Sequence, residues 1–293
     1  MSITAAQVAE LRKMTDCGMM DCKKALEEAA GDLAMATDIL RKKGMAKAAK
    51  KADRVAAEGI IKIKTADQGK FAVMLEVNCE TDFVARDTNF QSFAEWVADL
   101  ALTHRIDDVQ QLANISCGDK TVEQVRQDLI VKIGENVHVR RIALMKTTGQ
   151  IGAYTHGNKI GVLVALSKGE DASLAKDIAM HIAASKPLVV SPDQVDPQVI
   201  AKEKEIYRAQ ASESGKPANI VDKMVEGRLS KFLKEVSLLG QPFVKDPDLT
   251  IEALLKKNQA MVDAFIRFEL GEGIDKTKAD FATEVMAQVN QST

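Results

Sequence analysis

The spacing of apolar residues in the first part of the chain predicts a compact unit of three helices. Thr4 is followed three positions later by Gln7, the pattern of a capping box, and apolar residues then recur at helical spacing. A second short helix is predicted at 20–26, and a third ends near Gly44. Because so small a unit buries little surface, we expect it to leave part of its apolar face for a partner.

Residues 45–54 (MAKAAKKADR) interrupt this apolar pattern with alanine and basic side chains. The composition predicts a solvated helical linker, and a phosphate-binding tract is the alternative.

The centre of the chain contains one pattern twice. Residues 59–64 and 70–77 read as a hairpin that leads into a longer strand, and the same outline returns at 149–154 and 159–166. In the first copy the alternation predicts a half-buried strand, and each copy is followed by an amphipathic helix. The alternating residues are Phe71, Val73, Leu75 and Val77. We therefore expect two related α+β subdomains.

The second copy is interrupted by two charged, helical segments. Residues 197–214 and 218–239 flank a Gly-Lys-Pro turn, which predicts an antiparallel helical hairpin that projects from the core. Such a hairpin could be an interaction or dimerisation device or a structural brace. Residues 280–291 predict a short terminal helix that must dock to be stable.

Charge and composition narrow the range of functions that the chain can have. The 40 basic and 42 acidic side chains nearly balance, and aromatic residues make up only 4%, which argues against a dedicated nucleic-acid binder. The cysteines form no CxxC pair and the histidines no HxxxH pair, so we expect no zinc site. The start of the chain is amphipathic, and no apolar run reaches ~18 residues. We expect a soluble cytoplasmic protein with no membrane contact.

Motifs of enzymes are missing from the sequence. Neither GxxxxGK[ST], GxGxxG nor GxSxG occurs, and no set of residues suggests a general acid, a base and a nucleophile together. The sequence therefore predicts a protein that is not an enzyme and holds no cofactor.

The segment NCETDFVARD stands out as candidate binding chemistry. Strand alternation ends near Cys79 and the next helix begins near Thr88, so residues 81–84 form a tight connection with an aromatic between acidic groups. From the pattern alone, Phe83 more commonly folds back into its own core. The alternative is an aromatic wedge beside a carboxylate, presented to a pocket of a partner.

Several segments together resemble the elongation factor Ts family. The match runs in order along essentially the whole chain, and TDFVARD and MMDCKKAL are its most specific parts; Arg86 stands where relatives often carry lysine. The segments are TDCGMMDCKKALEEAAGDL, NCETDFVARDTNF, KIGENVHVRRI, HGNKIGVLV, SGKPANIVDKMVEGRLSKFLKEVSLLGQPFV and IRFELGEGI.

The resemblance implies a ubiquitin-associated-like N-terminal domain, a core of two α+β subdomains, an inserted coiled-coil hairpin and a C-terminal helical module. The corresponding boundaries are 1–54 for the first domain with its linker, 55–145 and 146–279 for the two subdomains with the hairpin at about 197–239, and 280–293 for the last module.

The resemblance also implies the function, which is guanine-nucleotide exchange on elongation factor Tu, a GTPase that holds GDP and magnesium. It implies that one set of residues enters the GTPase near its magnesium and phosphate site, which makes Phe83 part of the working tip. These are Thr81, Asp82, Phe83 and Val84. Other implied contacts are Met19, Met20 and Lys23 of the first domain, and Ile133, Gly134 and His156 of the core.

Other interpretations stay open at this point. One alternative is that the first domain recognises ubiquitin-like or nascent-chain ligands, and another is that residues 45–54 belong to an RNA-associated protein. The helical hairpin could mediate a homodimer or contact only Tu, and its heptad pattern is too short to distinguish these two roles. A metabolic enzyme has no supporting motif.

Overall fold

The computed structural model describes residues 3–15, 17–169, 171–213 and 217–275. These residues form a mixture of helices and β-sheets, which confirms the predicted α+β class. The predicted terminal module at 280–293 lies outside the described residues, and the domain boundaries stay predictions.

The helices are α1 Ala5–Thr15, α2 Met19–Glu28, α3 Leu33–Lys51, α4 Asp82–Ala85, α5 Thr88–His104, α6 Val109–Ala113, α7 Val122–Ile133, α8 Ala172–Ser185, α9 Pro197–Ser212, α10 Ala218–Val236 and α11 Ile251–Lys257. The strands are β1 Glu58–Ala66, β2 Phe71–Cys79, β3 Ser116–Cys117, β4 Lys120–Thr121, β5 Val137–Lys146, β6 Gln150–His156, β7 Ile160–Lys168, β8 Pro242–Phe243, β9 Asp246–Thr250 and β10 Met261–Glu269.

Helices α1, α2 and α3 pack around a small core of their own, which includes the fully buried Leu11 and Leu26. The predicted capping box is present, because the Gln7 amide donates to Thr4 Oγ1 at 3.3 Å and the Thr4 amide donates to Gln7 Oε1 at 3.0 Å.

Helix α3 does not end near Gly44, as the sequence predicted, but continues to Lys51. Gly44 is buried against α7, where an added Cβ would lie 3.2 Å from a methyl group of Val131. One turn further on, Ala48 is buried in an apolar cluster with residues of β2, α5 and α7. Packing against α7 outweighs the weak helix propensity of one glycine, so the helix continues through Gly44. Residues 45–51 are helical, as the linker prediction has it, but Ala48 is buried and not solvated.

Two three-stranded antiparallel sheets form the centre of the fold, in the orders β1-β2-β5 and β10-β7-β6. Apolar residues of both sheets pack face to face, and helices cover the two outer faces, α5 and α7 on one side and α8 on the other. Strand β2 is consequently buried along its whole length, on both faces. The prediction of a half-buried strand was wrong because it counted only one of the two faces.

Helices α9 and α10 form the predicted antiparallel pair. They pack through Ala211, Val221 and Val225, and Arg208 pairs with Asp222 at 3.0 Å. The assignment of this hairpin as a dimerisation device stays a prediction.

A buried carboxylate joins the two sheets. The side chain of Glu76 on β2 is fully buried and accepts hydrogen bonds from the Gly271 amide at 2.8 Å, Arg141 Nε at 2.6 Å, Arg140 Nη1 at 3.1 Å and Asn78 Nδ2 at 3.1 Å. The arginines belong to β5 of the first sheet, and Gly271 follows β10 of the second. Glu76 therefore connects the two sheets through charged hydrogen bonds, which are the stronger kind.

Burial by itself raises the pKa of Glu76, but the hydrogen bond from Gly271 and the charge of Arg141 outweigh it, so the pKa lies below its ordinary value of 4.5. A carboxyl group with a lower pKa in the folded state stabilises that state fully at pH values above the unfolded pKa. Its contribution is lost as the pH falls through the folded pKa.

We predict that Glu76→Gln lowers the free energy of unfolding by about 3 kcal/mol near pH 7, because it leaves two arginines without their buried counter-charge. The difference from the wild type should shrink as the pH falls below about 4.5. Urea unfolding followed by circular dichroism across this pH range measures both effects. Glu235→Gln is the control, since it breaks only an exposed pair with Lys231. Equal urea midpoints for Glu76→Gln and the wild type at neutral pH would contradict the role of Glu76.

Candidate partner-binding surface

The connection after β2 is a single helical turn between two N-caps. Thr81 is extended and caps α4, where its Oγ1 accepts from the Val84 amide at 3.3 Å. Asp87 then caps α5 and accepts from the amides of Asn89 and Phe90 at 2.8 and 3.2 Å, so this helix begins at Thr88, as the sequence predicted. We call residues Thr81–Val84 the tip.

Phe83 at the tip points into solvent, with 80% of its surface exposed. The pattern alone favoured Phe83 in the core, which is wrong for this chain, since the next residue, Val84, packs against the first sheet's core instead. Consecutive residues of a helical turn differ in direction by about 100°. Placing Val84 inward therefore turns Phe83 outward.

The carboxylate of Asp82 lies beside Phe83 and pairs with Arg86 at 2.9 Å. Both side chains are largely exposed, so the pair adds little to stability and can be exchanged for another partner.

The base of the tip is held by neighbouring groups. Glu135, from the loop before β5, accepts from the Thr81 hydroxyl at 2.8 Å, the Thr81 amide at 3.0 Å and the Glu80 amide at 3.2 Å. The thiol of Cys79 donates to the Thr81 carbonyl at 3.1 Å. Burial and the nearby carboxylate of Glu135 raise the pKa of Cys79 to about 12, so this cysteine is a protonated structural group.

Two predicted residues, Ile133 and Gly134, lie next to Glu135 along the chain. Gly134 ends α7 with φ +90°, and its carbonyl accepts from Lys51 at the end of α3. Ile133 is only partly exposed because it packs against the first sheet's core. The structure thus brings this pair together with the tip.

His156 lies on the second sheet, at the end of β6. It is exposed, and its Nδ1 lies 3.3 Å from the Tyr154 hydroxyl. The turn that follows contacts the first sheet, where the Ile61 amide donates to the Asn158 carbonyl at 2.8 Å.

Met19, Met20 and Lys23 lie apart from the tip, on the three-helix unit. The two methionines are 60% and 62% exposed at the start of α2, and with Ile3 and Arg12 they help to line a groove of about 670 Å³. The predicted residues therefore lie in three places, which are the tip with Ile133 and Gly134, the end of β6 with His156, and this N-terminal groove.

Sequence reasoning missed Glu80, Glu135 and Asn136, which join the loops at the base of the tip. A signal was present in the sequence, since β2 and β5 are neighbours, the polar residues of CET (79–81) directly follow β2, and GEN (134–136) directly precedes β5. Only the strand pairing, with Cys79 opposite Val137, places the two segments side by side.

Residues 3–15, 17–169, 171–213 and 217–275 contain no cluster of three or more His, Cys, Asp or Glu side chains arranged to hold a metal ion. The same residues contain no helix with the length and hydrophobicity needed to cross a membrane.

Comparison with known proteins identifies the family. The sequence profile described as "Elongation factor TS" matches residues 80–272. A protein of Legionella pneumophila (strain Lens) named "Elongation factor Ts" is 57% identical over 98% of this chain and 99% of its own length. Proteins of the same name from Methylococcus capsulatus and Nitrosospira multiformis are 56% and 52% identical, over 100% and 99% of this chain and 100% and 97% of their own lengths. The chain therefore belongs to the elongation factor Ts family.

Proposed function

We propose that this chain promotes GDP release from elongation factor Tu by inserting Asp82 and Phe83 beside the magnesium and phosphate site of that GTPase, after which GTP can rebind. Family membership supports the exchange role. A nucleotide exchange factor changes the binding properties of its partner and is not an enzyme. The tip, the N-terminal groove and the residues around Gly134 and His156 are the surfaces that we assign to Tu.

The exposed side chain of Phe83 is the observation that carries the proposal. A large aromatic residue 80% exposed on a fixed helical turn has apolar surface that only a partner can bury. Burying it supplies about 2–3 kcal/mol, which can offset a distortion of the partner.

Thermodynamic linkage between the binding of the factor and the binding of GDP explains how burial of Phe83 releases a nucleotide. If the shape of Tu that accepts Phe83 holds magnesium and phosphate poorly, the factor and GDP each weaken the other's binding by the same ratio. Magnesium requires nearly ideal octahedral geometry, so a small displacement of its ligands is costly. Asp82 adds a negative charge next to the same site, which further disfavours the phosphates of GDP.

The N-terminal groove has a different role in this proposal. Its exposed methionines are flexible apolar side chains suited to an interface, and Lys23 places a cation beside them. We assign this groove to grip Tu, whereas the tip disturbs the nucleotide site. The cytoplasmic location follows from this assignment and is part of the proposal.

We predict that Phe83→Ala leaves the fold intact and slows factor-stimulated GDP release from Tu by about tenfold or more, since it removes about 2–3 kcal/mol of apolar burial. Stopped-flow measurement with fluorescent GDP at saturating factor gives this rate. Met261→Ala is a matched control, because it shortens an exposed apolar side chain far along the chain, at the start of β10. Wild-type release by a folded Phe83→Ala variant would exclude the tip as the working element.

We predict that the double change Met19→Ala and Met20→Ala raises the factor concentration needed for half-maximal GDP release by about tenfold, because it removes apolar contacts of the gripping groove. The maximal rate should change little, since the tip is unaltered. Titration of the factor in the same stopped-flow assay separates the two quantities. Met35→Ala, another exposed methionine of the three-helix unit, is the control. A groove that binds another class of ligand would leave both quantities at their wild-type values.

A further inference from the structure

Both oxygens of one carboxylate hold the base of the tip. Glu135 Oε2 accepts from the backbone amides of Glu80 and Thr81, at 3.2 and 3.0 Å, and Oε1 accepts from the Thr81 hydroxyl at 2.8 Å. These hydrogen bonds end on an ionised acceptor and are therefore stronger than those between neutral groups. They fix two consecutive residues just before the turn that carries Phe83.

The bond to the Thr81 hydroxyl also determines how Thr81 caps α4. A hydroxyl group has one proton, and here it is donated to Glu135. The oxygen lone pairs are then left to accept from the Val84 amide, at 3.3 Å. Helix α4 is a single turn, too short to be stable without such support. The direction of Phe83 consequently depends on a cap that Glu135 orients.

The next residue, Asn136, donates one bond back to Glu80 and two bonds to the segment that follows α3. The Asn136 amide donates to Glu80 Oε1 at 2.6 Å, and Asn136 Nδ2 donates to the carbonyls of Ala52 and Arg54 at 3.2 and 2.9 Å. We call Glu80, Thr81, Glu135 and Asn136 the clasp. It joins the tip to the segment that follows α3, and hence to the chain leading from the N-terminal groove.

From this geometry we infer that Glu135 is a positioning residue for nucleotide exchange, which acts on Tu through Thr81 by fixing the direction of Phe83. The inference rests on the proposed function of the tip. Both carboxylate oxygens of Glu135 are engaged within the chain and its side chain is only partly exposed, so its effect passes through the tip. Loss of the clasp leaves Phe83 present but able to point in several directions, and ordering it in the state from which GDP leaves then costs part of the energy that distorts the nucleotide site.

The decisive variant of the full chain is Glu135→Gln. Its side chain keeps the size of glutamate but has one acceptor oxygen in place of two, so in either orientation an NH2 group faces the two backbone amides or the Thr81 hydroxyl, and one side of the clasp is lost. At saturating factor, GDP release from Tu should slow by about tenfold, because misplacement of a positioned group is costly. The concentration for half-maximal release should change less than about twofold, because the N-terminal groove is untouched.

The hydroxyl of Thr81 provides a second route to the same result. Thr81→Val keeps the shape of the side chain but removes the cap, and it should lower the maximal release rate as Glu135→Gln does. Thr81→Ser keeps the hydroxyl and should be faster than Thr81→Val. Glu123→Gln is the matched control, since Glu123 is a partly buried carboxylate that pairs with Arg126 at 2.6 Å and makes none of the clasp bonds. Its release rate should equal that of the wild type.

Combination with Phe83→Ala separates positioning from general damage to the structure. Once Phe83 is replaced, there is no aromatic side chain for Glu135 to orient, so adding Glu135→Gln should slow GDP release no further. A further slowing equal to that seen in the wild-type background would overturn the inference, as would a change confined to the half-maximal concentration.

The two proposals fail in different ways. Slow release by Phe83→Ala together with wild-type release by a folded Glu135→Gln overturns the role of Glu135 and leaves the proposed function standing. Wild-type release by Phe83→Ala overturns the proposed function of the tip, and the inference about Glu135 with it.

Discussion

Close packing of the two sheets against each other is the constraint on which the rest of the structure depends. At Gly161 of β7 the sheets approach so closely that an added Cβ would lie 2.6 Å from Ile61 and from Met74. With helices on the outer faces, the central strands have no side in contact with water. A charged group within them therefore needs buried ion pairs and hydrogen bonds, as Glu76 has. The tip, the Gly134 loop and the turn after His156 all lie at strand or helix ends.

Much of this fold was predictable from the sequence because its signals are local. Caps at Thr4 and Asp87 and the apolar stripe of α5 each depend on residues a few positions apart. The predictions were wrong where a segment far along the chain determines the local structure. The nearly continuous apolar run of β2 was read as an alternating strand, and Gly44 was read as a helix end. A second sheet and α7, both far along the chain, supply the packing that overrides those patterns.

The candidate site shows the same division between local and distant information. That Phe83 is exposed follows from a competition with Val84 for the inward position, and neither hydrophobicity nor spacing ranks the two residues. The resemblance of TDFVARD to a family indicated this segment as a candidate site, but it gave no account of what holds that segment in place. Glu135 lies 54 residues from Thr81 in the sequence, and only the pairing of β2 with β5 brings them together.

The proposed function needs a tip that is rigid before it meets its partner. Binding energy from one aromatic side chain is about 2–3 kcal/mol, and fixing a free side chain and its backbone costs a similar amount. An unsupported turn would therefore spend on its own ordering the energy that must distort the nucleotide site. The clasp orders the turn during folding, because its charged hydrogen bonds connect the turn to the packed ends of β2 and β5. Rigidity of the sheets, the hydrogen bonds of Glu135 and the exposure of Phe83 are thus successive requirements of one function.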